Sequence, residues 1–309
     1  MSEPIIYINR EELNKYCGEE TKLILNGWFM HEPQNWPPSS NIFPFFISFH
    51  INSVAYRSLL SEKSIKFLKK WEPIGCRDKK TATLLMEKGV NAYFSCCLTL
   101  TLSKKYLSNK TRDKIYFVDP YYEYRRDILS IIWYVWSFIK NSYKLLSLSR
   151  KLFGNIHFRS ILKTTAYYLD YRKIFDDEII LEASYISHLV RELEYGTEDE
   201  KFVFADGIIR KYAKAKLIVT SKIHCALPCL GLETPVIFIE NGNQSETSYC
   251  RLEGIRELLN IVIYKKHNMK ILFNNEIKKI SIKDKINNKS DYLRFEKHLE
   301  EQCMNYIKK

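Results

Sequence analysis

Short apolar runs alternate along the chain with longer stretches in which apolar residues recur every three or four positions. The first pattern is that of buried strands and the second that of amphipathic helices, so their alternation predicts an α/β fold. Strands are expected at residues 5–8, 22–25, 43–49, 92–94, 114–118, 179–186, 217–220 and 236–239. Helices are expected at 54–71, with apolar side chains at 55, 59, 60, 65, 68 and 71, and at 81–88, 207–214, 223–230 and 291–307. A polar stretch, SKKYLSNKTR at 103–112, follows a strand-like run and marks a change of domain. The division expected is an N-terminal domain over 1–108, a C-terminal domain over 109–290 and a closing helix over 291–309. Residues 125–173 read as a mostly helical insert in the second domain.

The segment 215–239, AKLIVTSKIHCALPCLGLETPVIFI, reads as one β-α-β step. Its first strand ends at Ser221, an expected helix N-cap. Gly231 is expected to close the helix, and the turn at 233–235 leads into the next buried strand. In doubly wound sheets ligands bind beyond the carboxyl ends of the strands. Ser221, Lys222 and His224 fall there, where free backbone N–H groups and the helix dipole favour an anion. Pro228 removes the N–H that would bond the His224 carbonyl. A second group of polar residues follows a short apolar run at PIGCRD, 73–78. Gly75 permits close backbone approach there, and Arg77 and Asp78 precede a helix.

Composition narrows the partners. The 309 residues carry 48 Lys and Arg against 36 Asp and Glu, a net charge of +12, and 46% of residues are apolar. That apolar content excludes a disordered chain, and the charge asks for an anionic partner. Ten of the basic residues lie in 125–173 with only two Asp. No zinc-finger, RNP or helix-turn-helix pattern occurs, so nucleic acid is not the expected partner. The eight cysteines form no CxxC pair and no zinc spacing, so no metal is expected and they read as small buried apolar residues. The first ten residues turn polar too early for a signal peptide, and the longest apolar run, 128–139, is shorter than the ~18 residues a membrane span needs. A cytoplasmic location is expected. The aromatic and basic residues of 128–151 also suit a helix lying on an anionic membrane surface.

Four stretches together resemble the polysaccharide pyruvyl transferase family: 24–51, 73–102 with GCRD and CLTLTL, KIYFVDPYY at 114–122, and 215–239 with an S-[RK]-x-H-C-A-L-P run. The resemblance implies a GT-B-like architecture of two Rossmann-like, doubly wound domains facing a cleft. It implies transfer of the enolpyruvyl unit of phosphoenolpyruvate onto two hydroxyls of a sugar in a cell-surface polysaccharide or its lipid-linked precursor, with no cofactor. On that reading Lys222 and His224 hold the donor, with Ser221 beside them, and His224 acts as general acid or phosphate clamp. Asp78 is the candidate base and Arg77 a candidate fork for carboxylate or phosphate. His188 and Arg251 are further donor-side candidates, and Asn26 and His50 could face the acceptor. The chain departs from the family pattern in three places. No N-x-G-D turn occurs, so the first domain is expected to lack its first strand. Lys stands at 222 in place of the usual Arg, and Cys96 in place of the usual Gly. Two other readings stay open: a GT-B glycosyltransferase using a nucleotide sugar, and a non-catalytic homologue that scaffolds glycan assembly.

Overall fold

The structure is a computed structural model that describes residues 6–29, 31–107, 111–188, 196–243 and 250–308. The chain forms two compact units, one of Met1–Thr101, Ser245–Leu258 and Ser290–Lys309, the other of Leu102–Gln244 and Leu259–Lys289. This division differs from the expected one. The segment before Leu258 and the C-terminal helix both group with the first unit, and residue 108, the expected boundary, lies outside the described residues.

The first unit is built on short parallel strands. β1 (Thr21–Leu25) pairs with β2 (Ile42–Phe46) and β3 (Ile74–Cys76) with β4 (Ala92–Phe94). A single bridge from Phe49 to Cys76 links the two pairs, with the Phe49 N–H on the Gly75 carbonyl at 2.9 Å. Of the expected strand 5–8, residue 5 lies outside the described residues and 6–8 form no strand. The helix expected over 54–71 is divided into α1 (Tyr56–Leu59) and α2 (Glu62–Lys69). Ser61 causes the break, because its hydroxyl caps the N-terminus of α2. α3 (Lys79–Glu87) follows β3 directly. The core is aromatic: Trp36, Phe46 and Phe49 meet with ring centroids 5.2–6.1 Å apart, and the Trp36 indole N–H reaches the buried Ser64 hydroxyl at 2.8 Å. This satisfies the one polar atom the ring would otherwise bury.

The second unit holds a six-stranded mixed sheet. Its strands are β5 (Lys114–Val118), β6 (Ser184–Ile186), β7 (Ala215–Thr220), β8 (Val236–Asn241), β9 (Asn260–Lys265) and β10 (Asn268–Ile271). They lie in the order β10-β9-β8-β7-β5-β6, parallel throughout except for the β9–β10 hairpin. The chain runs from β5 outward to β6, then returns to β7 on the other side of β5. This reversal is a topological switch point, the place where doubly wound sheets open a crevice. Residues 125–173 are helical as expected, with α4 (Ser103–Tyr106) ahead of them, then α5 (Ile128–Lys140), α6 (Ser142–Phe153) and α7 (Phe158–Tyr171).

The expected strand 179–186 is half helix: α8 (Asp177–Glu182) precedes the three-residue β6. Asp177 and Glu178 in its first turn favour the helix end that carries positive charge. The helix expected at 207–214 begins earlier, as α9 (Glu198–Ala213), because Thr197 and Glu200 form a capping box. α10 (Ile223–Gly231) follows β7 and contains Pro228. Gly231 does not end it in a left-handed turn; Leu232 is the C-cap and Glu233 takes the positive φ of 55°. The β9–β10 hairpin belongs to no expected element, and its turn places Lys266 and His267 at φ 49° and 61°. α11 (Tyr292–Lys308) returns to the first unit, stacking Tyr306 on Phe45 at 4.9 Å and Phe295 against Phe94 at 5.1 Å.

Candidate functional site

In the second unit the switch point gathers residues from three strand ends. Asp119 follows β5 in a left-handed conformation, φ 42°. Its carboxylate accepts the Ser187 hydroxyl and the His188 N–H, both at 2.9 Å, just beyond β6. Its carbonyl accepts the Ser221 hydroxyl from the end of β7. Ser221 is therefore spent on Asp119 and is not the N-cap expected; Lys222 occupies that position with no side-chain cap. Lys222 and His224 are both exposed at the start of α10. Below them the helix is wholly buried from Cys225 to Gly231. A dry helix body thus presents one charged turn to solvent, at the end where its free N–H groups point.

His188 is held by two neighbours. Its Nε2 lies 2.5 Å from the Tyr212 hydroxyl, and its Nδ1 lies 3.8 Å from the Asp119 carboxylate. Burial pushes its pKa below the ordinary histidine value; Asp119 pulls it back up, and the Lys222 charge lowers it further. Asp119 and Tyr212 escaped the sequence reading. The Asp-Pro pair ending KIYFVDP was the available signal for Asp119, since such a pair marks a turn at a strand end. Tyr212 carried none.

In the first unit a second constellation stands where β3 passes into α3. Asp78 is fully buried and caps α3, with Oδ1 accepting from the Thr81 N–H and hydroxyl, each at 2.9 Å. Its Oδ2 lies 2.6 Å from His50 Nδ1. Both carboxylate oxygens are therefore taken and neither reaches solvent, contrary to a direct role as base. The carboxylate instead fixes the proton on His50 Nδ1, which leaves the lone pair on Nε2. Burial lowers the His50 pKa, against the Asp78 hydrogen bond that raises it, with Arg77 lowering it further. His50 Nε2 is buried with no hydrogen-bond partner among the described residues.

Arg77 is 5% exposed, and its Nε and Nη2 also lack hydrogen-bond partners among the described residues; Nε is 4.0 Å from Asp78 Oδ2. Arg251 joins this group. Its guanidinium lies 5.7 Å from the centre of the Trp28 ring, which is 6.2 Å from His50. Arg251, a donor-side candidate from the sequence, belongs to the first unit, where the Lys79 N–H on the Glu253 carbonyl ties its segment to α3. Asn26 stands apart. It is exposed and lines a cavity of about 420 Å³ along β1, with Arg10 and Gly27. A buried guanidinium and a buried imidazole lone pair without partners are costly, so the Arg77–His50 group is built to receive a ligand that offers an acceptor to Arg77 and a donor, such as a hydroxyl, to His50 Nε2.

The family model for polysaccharide pyruvyl transferase matches residues 21–243. The chain belongs to the polysaccharide pyruvyl transferase family. The match covers β1 through β8 and therefore both constellations, apart from Arg251. No curated protein and no solved structure matches the chain. Family membership makes the chain a member of a transferase family acting on polysaccharide. Among the described residues no helix is long and apolar enough to cross a membrane.

The departure at Cys96 has a visible consequence in this member of the family. Cys96 is buried and left-handed, with φ 64°. A side chain there is strained, and glycine would not be. The cysteines follow expectation in part: Cys76, Cys96, Cys225 and Cys229 are buried, whereas Cys17 is exposed and the other three are half-buried.

Proposed function

We propose that this chain transfers the enolpyruvyl unit of phosphoenolpyruvate to two hydroxyls of one sugar, in a cell-surface polysaccharide or its lipid-linked precursor, giving a pyruvate ketal. The observation that carries the proposal is the exposed Lys222–His224 turn at the sheet's switch point. A small donor with a phosphate and a carboxylate needs a cation and free N–H groups at one place. His224 supplies the proton that converts the donor's methylene to a methyl group and leaves an oxocarbenium-like carbon. One sugar hydroxyl adds to that carbon and loses its proton. The C–O bond to phosphate breaks, phosphate leaves, and the second hydroxyl closes the ketal.

Two imidazoles that burial holds neutral are the bases available for the hydroxyl protons. His188 is steadied by Tyr212 and Asp119; His50 is steadied by Asp78. Arg77 and Arg251 add positive charge beside His50, suited to a carboxylate or an anionic acceptor. The GT-B-like architecture is part of the proposal, and the parallel strands with helical crossovers in each unit support it.

The test is incubation with phosphoenolpyruvate and a panel of lipid-linked or nitrophenyl glycosides, followed by mass spectrometry. The expected product is heavier than the acceptor by one pyruvate less one water. A nucleotide-sugar glycosyltransferase would be stabilised against heat by UDP or GDP, whereas phosphoenolpyruvate alone is expected to stabilise this chain.

A further inference from the structure

One face of α5 carries an inference that stands whether or not the reaction above is right. Ile128, Leu129, Ile132, Trp133, Trp136 and Ile139 are between 48% and 80% exposed. At helical spacing all six fall on one arc, while Tyr134 and Ser137 on the opposite side are buried. Single exposed apolar side chains are ordinary, but six large ones on one helix face call for a covering partner. Trp133 and Trp136 stack at 5.3 Å, and the Lys140 ammonium sits 3.3 Å from the centre of the Trp136 ring. Arg125 and Arg126 are exposed just before the other end of the helix.

Beside the first turns of α5 lies a cavity of about 410 Å³, lined by Arg125, Trp133, Tyr134, Lys173, Lys266 and His267 among others. Its one carboxylate, Asp170, is neutralised from within: it accepts from Tyr264 and pairs with His267 at 2.9 Å and Lys173 at 3.2 Å. His267 Nε2 is buried without a hydrogen-bond partner among the described residues, and a Glu123 carboxylate oxygen is 3.7 Å away. The cavity is thus basic, with Trp133 and Tyr134 in its wall, and Arg125 and Lys266 offer it positive charge that Asp170 does not offset.

We propose that α5 lies in the interface of an anionic lipid bilayer, its aliphatic and indole side chains among the upper acyl chains, and that the basic cavity takes a lipid headgroup phosphate. Charge selects this occupant over a second copy of the chain. Residues 125–173 hold ten Lys and Arg against two Asp, an excess of eight in a chain of net charge +12. A second copy would bring that excess against itself, whereas an anionic leaflet attracts each surface Lys or Arg. Tryptophans at the boundary and a lysine that keeps its ammonium in water beside them are the residues such an interface favours.

Flotation of the full chain with phosphatidylcholine vesicles, with and without phosphatidylglycerol, tests this. The chain is expected to float with the anionic vesicles and to be released by high salt. The double variant Ile132→Ser, Trp136→Ser should lose about tenfold or more in partitioning with no change in its circular-dichroism melting curve, since both side chains are exposed. The variant Arg125→Gln, Lys266→Gln should weaken binding to anionic vesicles and leave residual binding to neutral ones unchanged. Free inorganic phosphate should not displace the chain from vesicles; if it does, the cavity takes a soluble phosphate and not a headgroup. Absence of flotation with anionic vesicles at low salt would overturn the proposal. So would light scattering that shows a dimer which the double variant dissociates, because a second copy would then cover the face.

Discussion

His50 sits between opposing pulls, and the balance can be read from the pH dependence of stability. Burial lowers its pKa from the ordinary value of 6.5, more than the Asp78 hydrogen bond restores it. The unfolded chain therefore takes up the proton first as pH falls. The stability that neutral His50 contributes is complete above about pH 6.5 and is lost as pH drops toward the lower folded value. His188, also shifted down by burial, acts in the same direction. The urea midpoint should accordingly fall between about pH 7.5 and about pH 5.5, and His50→Gln should make that fall shallower. Asp78→Ala removes both the α3 cap and the carboxylate facing His50. Loss of a cap alone costs about 1 kcal/mol, and leaving His50 and Thr81 unpaired in the interior adds a further ~1–3 kcal/mol. A clear drop in melting temperature is expected. At Lys222 the expectation is different: the side chain is exposed, so Lys222→Ala should raise the KM for donor and leave the melting temperature of the unliganded chain where it was.

Among the elements, those whose signals are local were legible in the sequence. The β7–α10–β8 step, the α5–α7 helical run and α11 appear within a residue or two of the stretches their periodicity marks. The S-K-x-H turn also falls where strand-to-helix logic puts it, although Ser221 bonds Asp119 instead of capping. Other features depend on contacts far apart in sequence. The Ser61 break and the Thr197 capping box have written signals that periodicity alone does not weigh. β6 is only three residues long and exists because it pairs with β5. Asp78 was a candidate base because ketal formation needs one; only the fold shows His50 and Thr81 closing over it. Gly75 is tested at this scale. An added Cβ would lie 3.2 Å from the Phe46 carbonyl oxygen and 3.1 Å from the Tyr93 hydroxyl, with Ser95 Cβ at 3.2 Å. Backbone cannot yield as a side-chain tip can, so Gly75→Ala should destabilise the first unit by about 1–3 kcal/mol, measured by denaturant titration.

For the whole molecule, the charge and the chain path matter most. The fold class was visible in the alternation of strands and helices, but the membership of the two units was not. Nothing in the periodicity of residues 250–258 or of α11 says that they return to the first unit; the tie between Lys79 and Glu253 and the aromatic contacts of α11 decide it. The return of 250–258 also brings Arg251 to the side of Trp28 and His50. The net charge of +12 divides between a few cations in the two constellations and the basic helical segment over 125–173. If Lys222 and His224 hold a doubly charged donor, saturating phosphoenolpyruvate should raise the unfolding free energy by about 2.7 kcal/mol at a hundred times its Kd. His224→Ala should lose most of that gain.

Pyruvyl transfer at the Lys222–His224 turn is tested most directly by mass spectrometry of a glycoside acceptor after incubation with phosphoenolpyruvate and either the unaltered chain or His224→Ala. A ketal product is expected from the unaltered chain, with release of inorganic phosphate, and none from His224→Ala at unchanged melting temperature. Equal product from both proteins would contradict the role given to His224. No product from the unaltered chain with any acceptor, alongside transfer from a nucleotide sugar, would contradict pyruvyl transfer itself.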